Sequence, residues 1–403
     1  MEGAMSSSAR LKIAGLFAGV GGIEQGLHEA GHASALLCEI DPGARRVLES
    51  RFPGVPLEPD VTQIQKLPAV DVLAAGFPCQ DLSQAGKTAG IRGKQSGLVQ
   101  HVFRLLRKTK PKWLLIENVS FMLQLDRGRA MKHLVDELES QSYGWAYRVV
   151  DTLAFGLPQR RQRVILVASR TEDPRSVLFA DDAGGEDRLY SPGILCGFYW
   201  TEGTRGLGWA VDAVPTLKGG STIGIPSPPA IWDEVNSRIT TPDIRDAERL
   251  QGFEADWTLP AVEVKGVRNS HRWKLVGNAV SVPVARWIGE RLGKPGHSLN
   301  HTNLRLASGG AWPRAAWGRN GESFKADVSM WPVRTRREHL ANFLMFPQRD
   351  LSERASAGFL SRADGSSLSF HPSFLETVRQ HVNRMRSTAI CREPRPRYLA
   401  AAL

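Results

Sequence analysis

Cysteine is scarce in this 403-residue chain: Cys38, Cys79, Cys196 and Cys391 are all there is, and no two share a metal-ligand spacing. A disulfide framework is therefore excluded, and a reducing compartment is the simplest expectation. Long apolar runs are also missing. None reaches the roughly 18 residues of a membrane span. The nearest imitation, residues 13–23 behind Arg10 and Lys12, holds four glycines and leads into Glu24 and Gln25. That pattern suits a strand and glycine turn better than a signal peptide, so a soluble, cytoplasmic protein is expected. Internal repeats are absent. Acid is in deficit, with 41 Asp+Glu against 52 Lys+Arg and a net charge of +11. The surplus favours a polyanionic partner, nucleic acid before membrane, although Arg outnumbers Lys 39 to 13 and a coding bias would produce the same. With 42% hydrophobic residues the chain can bury a full core. At roughly 150 residues per domain, two or three domains are expected.

Up to about Ser169, short apolar runs (12–18, 35–40, 70–76, 113–117, 147–152 and 164–168) alternate with amphipathic stretches (23–30, 43–51, 98–107 and 130–138). Strand–helix alternation predicts an α/β fold, a parallel sheet with helices on both faces. Ligands of such sheets bind outside the carboxyl ends of the strands. Between 171 and 245 glycine and proline are dense and periodicity is lost. Regular structure resumes over 246–293. Residues 294–324, rich in Ser, Asn, His and Gly, read as a linker. Beyond it 337–345, 351–360 and 373–386 are expected as helices, the last from a capping-box spacing, Ser373-x-x-Glu376.

Gly19, Gly21 and Gly22 follow the first apolar run, where glycine lets a ligand approach the backbone at a helix N-terminus. Glu39 ends the second run about twenty residues on, where an acid can bind ribose hydroxyls. A turn that only packs helix on strand, a dinucleotide site and an adenosyl-methionine site all fit. Asp60 follows the place where a third strand would end; a helix cap is its plain alternative. Cys79, in Phe77-Pro78-Cys79-Gln80, lies just past the next run, ahead of a polar, glycine-rich segment that suits a lid. Buried cysteines are ordinarily structural, but this setting makes Cys79 a candidate nucleophile. A free thiol, with a pKa of about 8.5, needs activation, and no His is near in sequence. Glu117 ends the following run, ahead of Asn118 and Val119. A thiol and a carboxyl facing one pocket suit nucleophilic addition with proton donation to a ring. Arg160, Arg161 and Arg163 read as a solvated basic turn or, beside such a pocket, as anion contacts.

Taken in order, Phe17-Ala18-Gly19-Val20-Gly21-Gly22, Glu39, Asp60, Pro78-Cys79-Gln80, Glu117-Asn118-Val119, Gln159-Arg160-Arg161-x-Arg163, Arg249-Leu250-Gln251-Gly252-Phe253 and Gly277-Asn278-Ala279-Val280 resemble the DNA cytosine-5 methyltransferases. The likeness spans about residues 11–292 and leaves the last hundred or so uncovered. It implies a Rossmann-like SAM-dependent methyltransferase domain, begun by 11–170 and completed by 246–293. It further implies a small irregular target-recognition region at 171–245; the linker 294–324 and a mainly helical C-terminal extension, 325–403, lie outside it. By position, Cys79 would add to carbon 6 of a flipped cytosine, Glu117 would protonate ring nitrogen 3, and Asn118 would brace the active-site loop. Arg161 and Arg163 would complete the catalytic set. Arg163 would also touch DNA, as would Gln80 and Ser83. Phe17, Gly19, Gly21, Gly22, Glu39, Ile40, Asp60, Val61, Pro78, Asn278 and Val280 would hold S-adenosyl-L-methionine. No metal is implied. Double-stranded DNA is the implied partner, in a restriction-modification or related defence system with a cognate nuclease. RNA on the same scaffold is the nearest rival. An NAD-dependent oxidoreductase rests only on the glycine turn and Glu39, and leaves Pro-Cys-Gln unexplained.

Two features depart from that plan. Residues 171–245 carry 6 Lys+Arg and 11 Asp+Glu, the reverse of what phosphate contacts require. Residues 301–403 carry 16 Lys+Arg and 8 Asp+Glu. The tail is therefore expected to form a small helical domain that supplies the missing phosphate contacts; a packing appendage whose charge reflects the arginine-rich composition is the plain alternative.

Overall fold

The computed structural model describes residues 10–77, 97–185, 188–220, 226–299, 304–307 and 309–390. The chain divides into two units, one of residues 1–187, 216–227 and 244–338, the other of 188–215, 228–243 and 339–403.

The first unit is built on β1 (Lys12–Leu16), α1 (Gly22–Glu29), β2 (Ala33–Cys38), α2 (Pro42–Arg51), β3 (Leu57–Glu58), β4 (Val72–Ala75), α3 (Leu98–Thr109), β5 (Trp113–Val119), α4 (Arg129–Ser140), β6 (Gly144–Asp151) and β7 (Gln162–Ser169). After the intervening segments come α5 (His271–Asn278), α6 (Val282–Gly293), β8 (Ala315–Arg319) and β9 (Glu322–Lys325). The strands form one sheet in the order β9-β8-β6-β7-β5-β4-β1-β2-β3. From β3 to β5 neighbours are parallel. Their near-continuous apolar sequences suit burial on both faces: β4 is wholly buried, and β5 is buried except at Val119. Helices α3 and α4 cover one face with Val102, Phe103, Leu106, Leu134 and Leu138. The other face meets α1 and α6 through Ile23, Leu27, Val284 and Ile288.

The expected all-parallel sheet is corrected at β7, which runs antiparallel to both β5 and β6. The 152–161 connection explains this, being shorter than the dozen or so residues a parallel crossover needs. A second difference concerns 294–324. The segment expected as a linker contributes β8, which pairs antiparallel with β6, and a tight turn at Asn320-Gly321, both residues at positive φ, into β9.

The second unit joins the glycine- and proline-dense region to the tail. Its antiparallel sheet takes strands Ala210–Val211, Cys196–Phe198, Ala230–Asp233 and Arg238–Thr241, and then Arg349–Asp350 from the tail. Helices Glu353–Asp364 and Pro372–Ile390 supply the covering layer. Phe359, Phe374, Val378 and Val382 share one core with Cys196, Phe198, Trp232 and Ile239. Because the last helix starts at Pro372, Ser373 lies within its first turn rather than at its cap, and its carbonyl accepts from Thr377 Oγ1.

Candidate active site

Strand order turns back between β1 and β4. Open α/β sheets bind ligands at such a point, beyond the strands' carboxyl ends. A cavity of about 520 Å³ lies there, walled by Phe17, Gly19, Glu39, Ile40, Asp60, Val61, Glu117, Asn118, Arg161, Arg163 and Asn278. These are the expected site residues that the fold brings together, from five strand ends and the end of α5.

The acid that follows β2, Glu39, is held by backbone. Gly19 N donates to Glu39 Oε2 and Asp41 N to Glu39 Oε1, both at 2.8 Å. Asp41 also caps α2 through Gly43 N at 2.9 Å, and accepts from His271 Nε2 at 3.0 Å and Lys274 Nζ at 3.3 Å. Sequence reasoning missed Asp41, His271 and Lys274. Asp41-Pro42 carries a helix-start signal, but its partners lie more than two hundred residues further along. Asp60 Oδ1 accepts from Thr62 N at 2.8 Å. That backbone hydrogen bond, joined by the Thr62 side chain, holds the Asp60 carboxyl below its usual range. Ile40 is 71% exposed beside these acids, an apolar surface for a ligand to cover.

At the end of β5, Glu117 is 8% exposed and accepts from Arg163 Nε at 3.0 Å. Burial pushes its carboxyl above the usual range, against the opposing pull of Arg163 and Arg161. Such a group keeps a proton to higher pH than a solvated Glu. Asn118 Nδ2 donates to Phe77 O at 3.0 Å and so grips the backbone two residues before Cys79. Pro78, Cys79, Gln80 and Ser83 lie outside the described residues.

Three expected site residues, Gly21, Gly22 and Val280, stand outside the cavity walls, which Arg161 joins from one side. Gly21, at φ +85°, packs where a Cβ would come within 2.4 Å of the Phe52 ring; a Cβ on Gly22 would meet Val280 O at 2.2 Å. Gly21, Gly22 and Val280 thus shape the glycine turn from behind the cavity. Arg161 is buried, donating to Leu217 O at 3.2 Å, Gly277 O at 3.2 Å and Ala279 O at 2.7 Å. Its guanidinium ties the 271–280 segment to the catalytic sheet. Gln159 and Gln251, buried beside it, extend the same tie through Leu250 O and Val276 O.

The sheet, the switch-point cavity and the acids at the ends of β2, β3 and β5 define an α/β fold with a candidate ligand site at its carboxyl edge. The reversed strand β7 sets it apart from the dinucleotide-binding order 3-2-1-4-5-6. A model of the C-5 cytosine-specific DNA methylase family matches residues 11–185. The type II methyltransferase M2.BsuMI of Bacillus subtilis (strain 168) is 50% identical over 363 residues, 88% of this chain and 93% of that protein. The type II methyltransferase M.Bsp6I of Bacillus sp. (strain RFL6) is 30% identical over 318 residues, covering 70% and 99%. Among solved structures, the S. pombe Dnmt2 methyltransferase superposes with a TM-score of 0.51 at 16% identity, over 70% of this chain and 98% of that one, a likeness of fold. The chain belongs to the C-5 cytosine-specific DNA methylases and is a DNA methyltransferase.

Proposed function

We propose that the protein transfers a methyl group from S-adenosyl-L-methionine to carbon 5 of a cytosine flipped out of duplex DNA, through a covalent adduct with Cys79. One observation carries the reading: a buried carboxyl with a raised pKa, Glu117, shares a cavity with Glu39 and Asp60, while Asn118 holds the backbone that leads into Cys79. The cavity suits the donor. Glu39 offers a fixed acceptor for a ribose diol and Asp60 one for an exocyclic amine, with Phe17, Ile40 and Val61 as apolar walls. Bound there, S-adenosyl-L-methionine supplies the electrophilic methyl carbon that carbon 5 takes.

Cys79 Sγ, as thiolate, forms the bond to carbon 6 of the ring. Glu117 delivers its proton to nitrogen 3, so negative charge does not accumulate on the ring, and carbon 5 becomes nucleophilic. Once carbon 5 is methylated, its proton leaves to a base. The sulfur–carbon bond then breaks, Cys79 departs as thiolate, nitrogen 3 gives its proton back to Glu117 and aromaticity returns. Arg163 orients Glu117; Arg161 is a positioning residue. The identity to M2.BsuMI over most of the chain supports a type II restriction-modification role.

Duplex DNA carrying 5-fluorocytosine tests the covalent step, because fluorine cannot leave as a proton does. Wild type should form a denaturation-resistant adduct, and Cys79→Ala should bind donor and DNA without forming it. Near-normal turnover by Cys79→Ala would overturn the mechanism.

A further inference from the structure

The second unit has a cavity of its own, of about 360 Å³. Rings make most of its wall: Tyr190, Trp209, Phe370, His371 and Phe374, completed by two leucines and Ser369. Behind them lies fully buried Trp232, stacked on Tyr190 with ring centroids 5.5 Å apart and packed against Trp209, His371 and Phe374 at 5.5–5.9 Å. Three polar groups here are left over. Trp232 Nε1 is buried without a hydrogen-bond partner, and the His371 imidazole and Ser369 hydroxyl make no hydrogen bond among the described residues. A buried donor left unpaired is uncommon in a folded protein. Among the described residues no carboxylate, ammonium or guanidinium lines the cavity; Glu234 accepts from the Tyr190 hydroxyl.

Aromatic faces with a few unspent polar groups suit a flat, neutral heterocycle. Its faces stack on the rings, and its own nitrogens and carbonyls meet the polar groups. An aliphatic chain would leave those groups unmatched, and a quaternary ammonium would find no carboxylate on the wall. The polymer that a DNA methyltransferase acts on presents such heterocycles, each joined to a phosphate. A cation stands close by in sequence. The hairpin that brings Leu207 to the wall is closed by Tyr199 N on Leu207 O and Gly203 N on Gly206 O, both at 2.9 Å, with Thr204 and Arg205 at its tip. Arg205 is exposed and makes no hydrogen bond or ion pair among the described residues; Glu202 is the acid of the same hairpin. We propose that this cavity holds one base of the DNA substrate, unstacked from its neighbours, against its aromatic wall. Stacking on the rings offsets the stacking lost within the DNA. The assignment uses neither Cys79 nor the catalytic cavity.

Binding of duplexes that lack one base at a time, scanned across the methylated site, tests it by a chemical double-mutant cycle. Trp209→Ala should bind intact duplex about tenfold more weakly, the scale of one base–aromatic stack. At one position, removal of the base should weaken wild type similarly and Trp209→Ala hardly at all. Phe370→Leu, which keeps an apolar side chain, repeats the cycle if Trp209→Ala does not fold. Affinity for S-adenosyl-L-methionine should not change. Full multiplication of the two penalties at every position would overturn the assignment, as would wild-type affinity in both variants. A free deoxynucleoside that binds wild type and not the variants, with no position showing the pattern, would give the cavity to a small molecule and overturn it too. Failure of the covalent reading looks different: wild type itself would then form no fluorocytosine adduct.

Discussion

The two units of this molecule reach a hydrophobic core by opposite routes. In the first, consecutive strands and helices up to residue 169 bury most of one another's apolar faces, and α6 and β8 are added from far along the chain. In the second, Trp232 and Ile239 share a core with Phe374 and Val382, more than a hundred residues further on. Even a single side chain spans that distance: His381 accepts from Ile239 N at 3.3 Å and donates to Leu351 O at 2.8 Å. Local periodicity can announce the first kind of core. The second exists only once distant segments have met. The tail, expected as a small helical domain of its own, shares its sheet and core with residues 188–215 and 228–243. Four of its arginines are engaged within the unit: Arg362 on Trp200 O and Glu202 O, Arg379 on Asp364, Arg386 on Glu353 and Arg384 on Ser237 O. Part of the acidic surplus of 171–245 is likewise paired within each unit. Asp182 pairs with buried Arg148, Asp181 with Arg291, and Asp212 with Arg188 and His339. Charge counted along a segment is not the charge of a surface.

The contrast can be tested from either side. The largest effect is expected in the first unit, where Glu117→Gln should slow single-turnover methylation roughly 10²–10⁴-fold while duplex binding stays close to wild type. The wild-type rate should also fall as pH rises through the raised pKa of Glu117, because the acid form donates the proton; a flat profile in single-turnover assays would remove that role. In the second unit Phe374→Ala should cost about 3–5 kcal/mol. Calorimetry should then show a lowered transition for this unit, with S-adenosyl-L-methionine binding retained by the other. If donor binding were lost together with that transition, the two cores would not be energetically distinct.

Smaller effects sharpen the picture. Asp60→Ala should weaken S-adenosyl-L-methionine by roughly 1–3 kcal/mol in isothermal titration, and NAD should give no heat with either protein. The smallest concerns His381, whose pKa burial lowers from the ordinary histidine value of about 6.5. The unfolded chain then binds the proton more readily than the folded one. The stability this histidine contributes is complete above about pH 6.5 and is lost as pH falls toward its folded pKa. Denaturant midpoints of the second unit should decline over that range, and His381→Gln should flatten the decline.

Much of the first unit was legible because strand and helix periods are local properties of a sequence. The glycine turn, Glu39, Asp60 and Glu117 each follow an apolar run, and parallel strands carry such ends to one edge of the sheet. Asn320-Gly321 was a legible hairpin signal too, obscured by the polar composition around it. Other roles could not be read that way. Arg161 stood in an arginine cluster that suited catalysis or phosphate contact, and only packing turned it toward the carbonyls of Leu217, Gly277 and Ala279. Asp41 and His271 have no relation in sequence until α5 lies against α2. The sequence by itself determined the strand–helix frame, the order of the motif residues and hence the chemistry, since these depend on residue type and short-range period. Tertiary structure alone decided which acids and arginines face a cavity, which neutralise one another inside, and that the tail completes the core of the second unit. Those outcomes depend on contacts between segments whose separation along the chain carries no local signal.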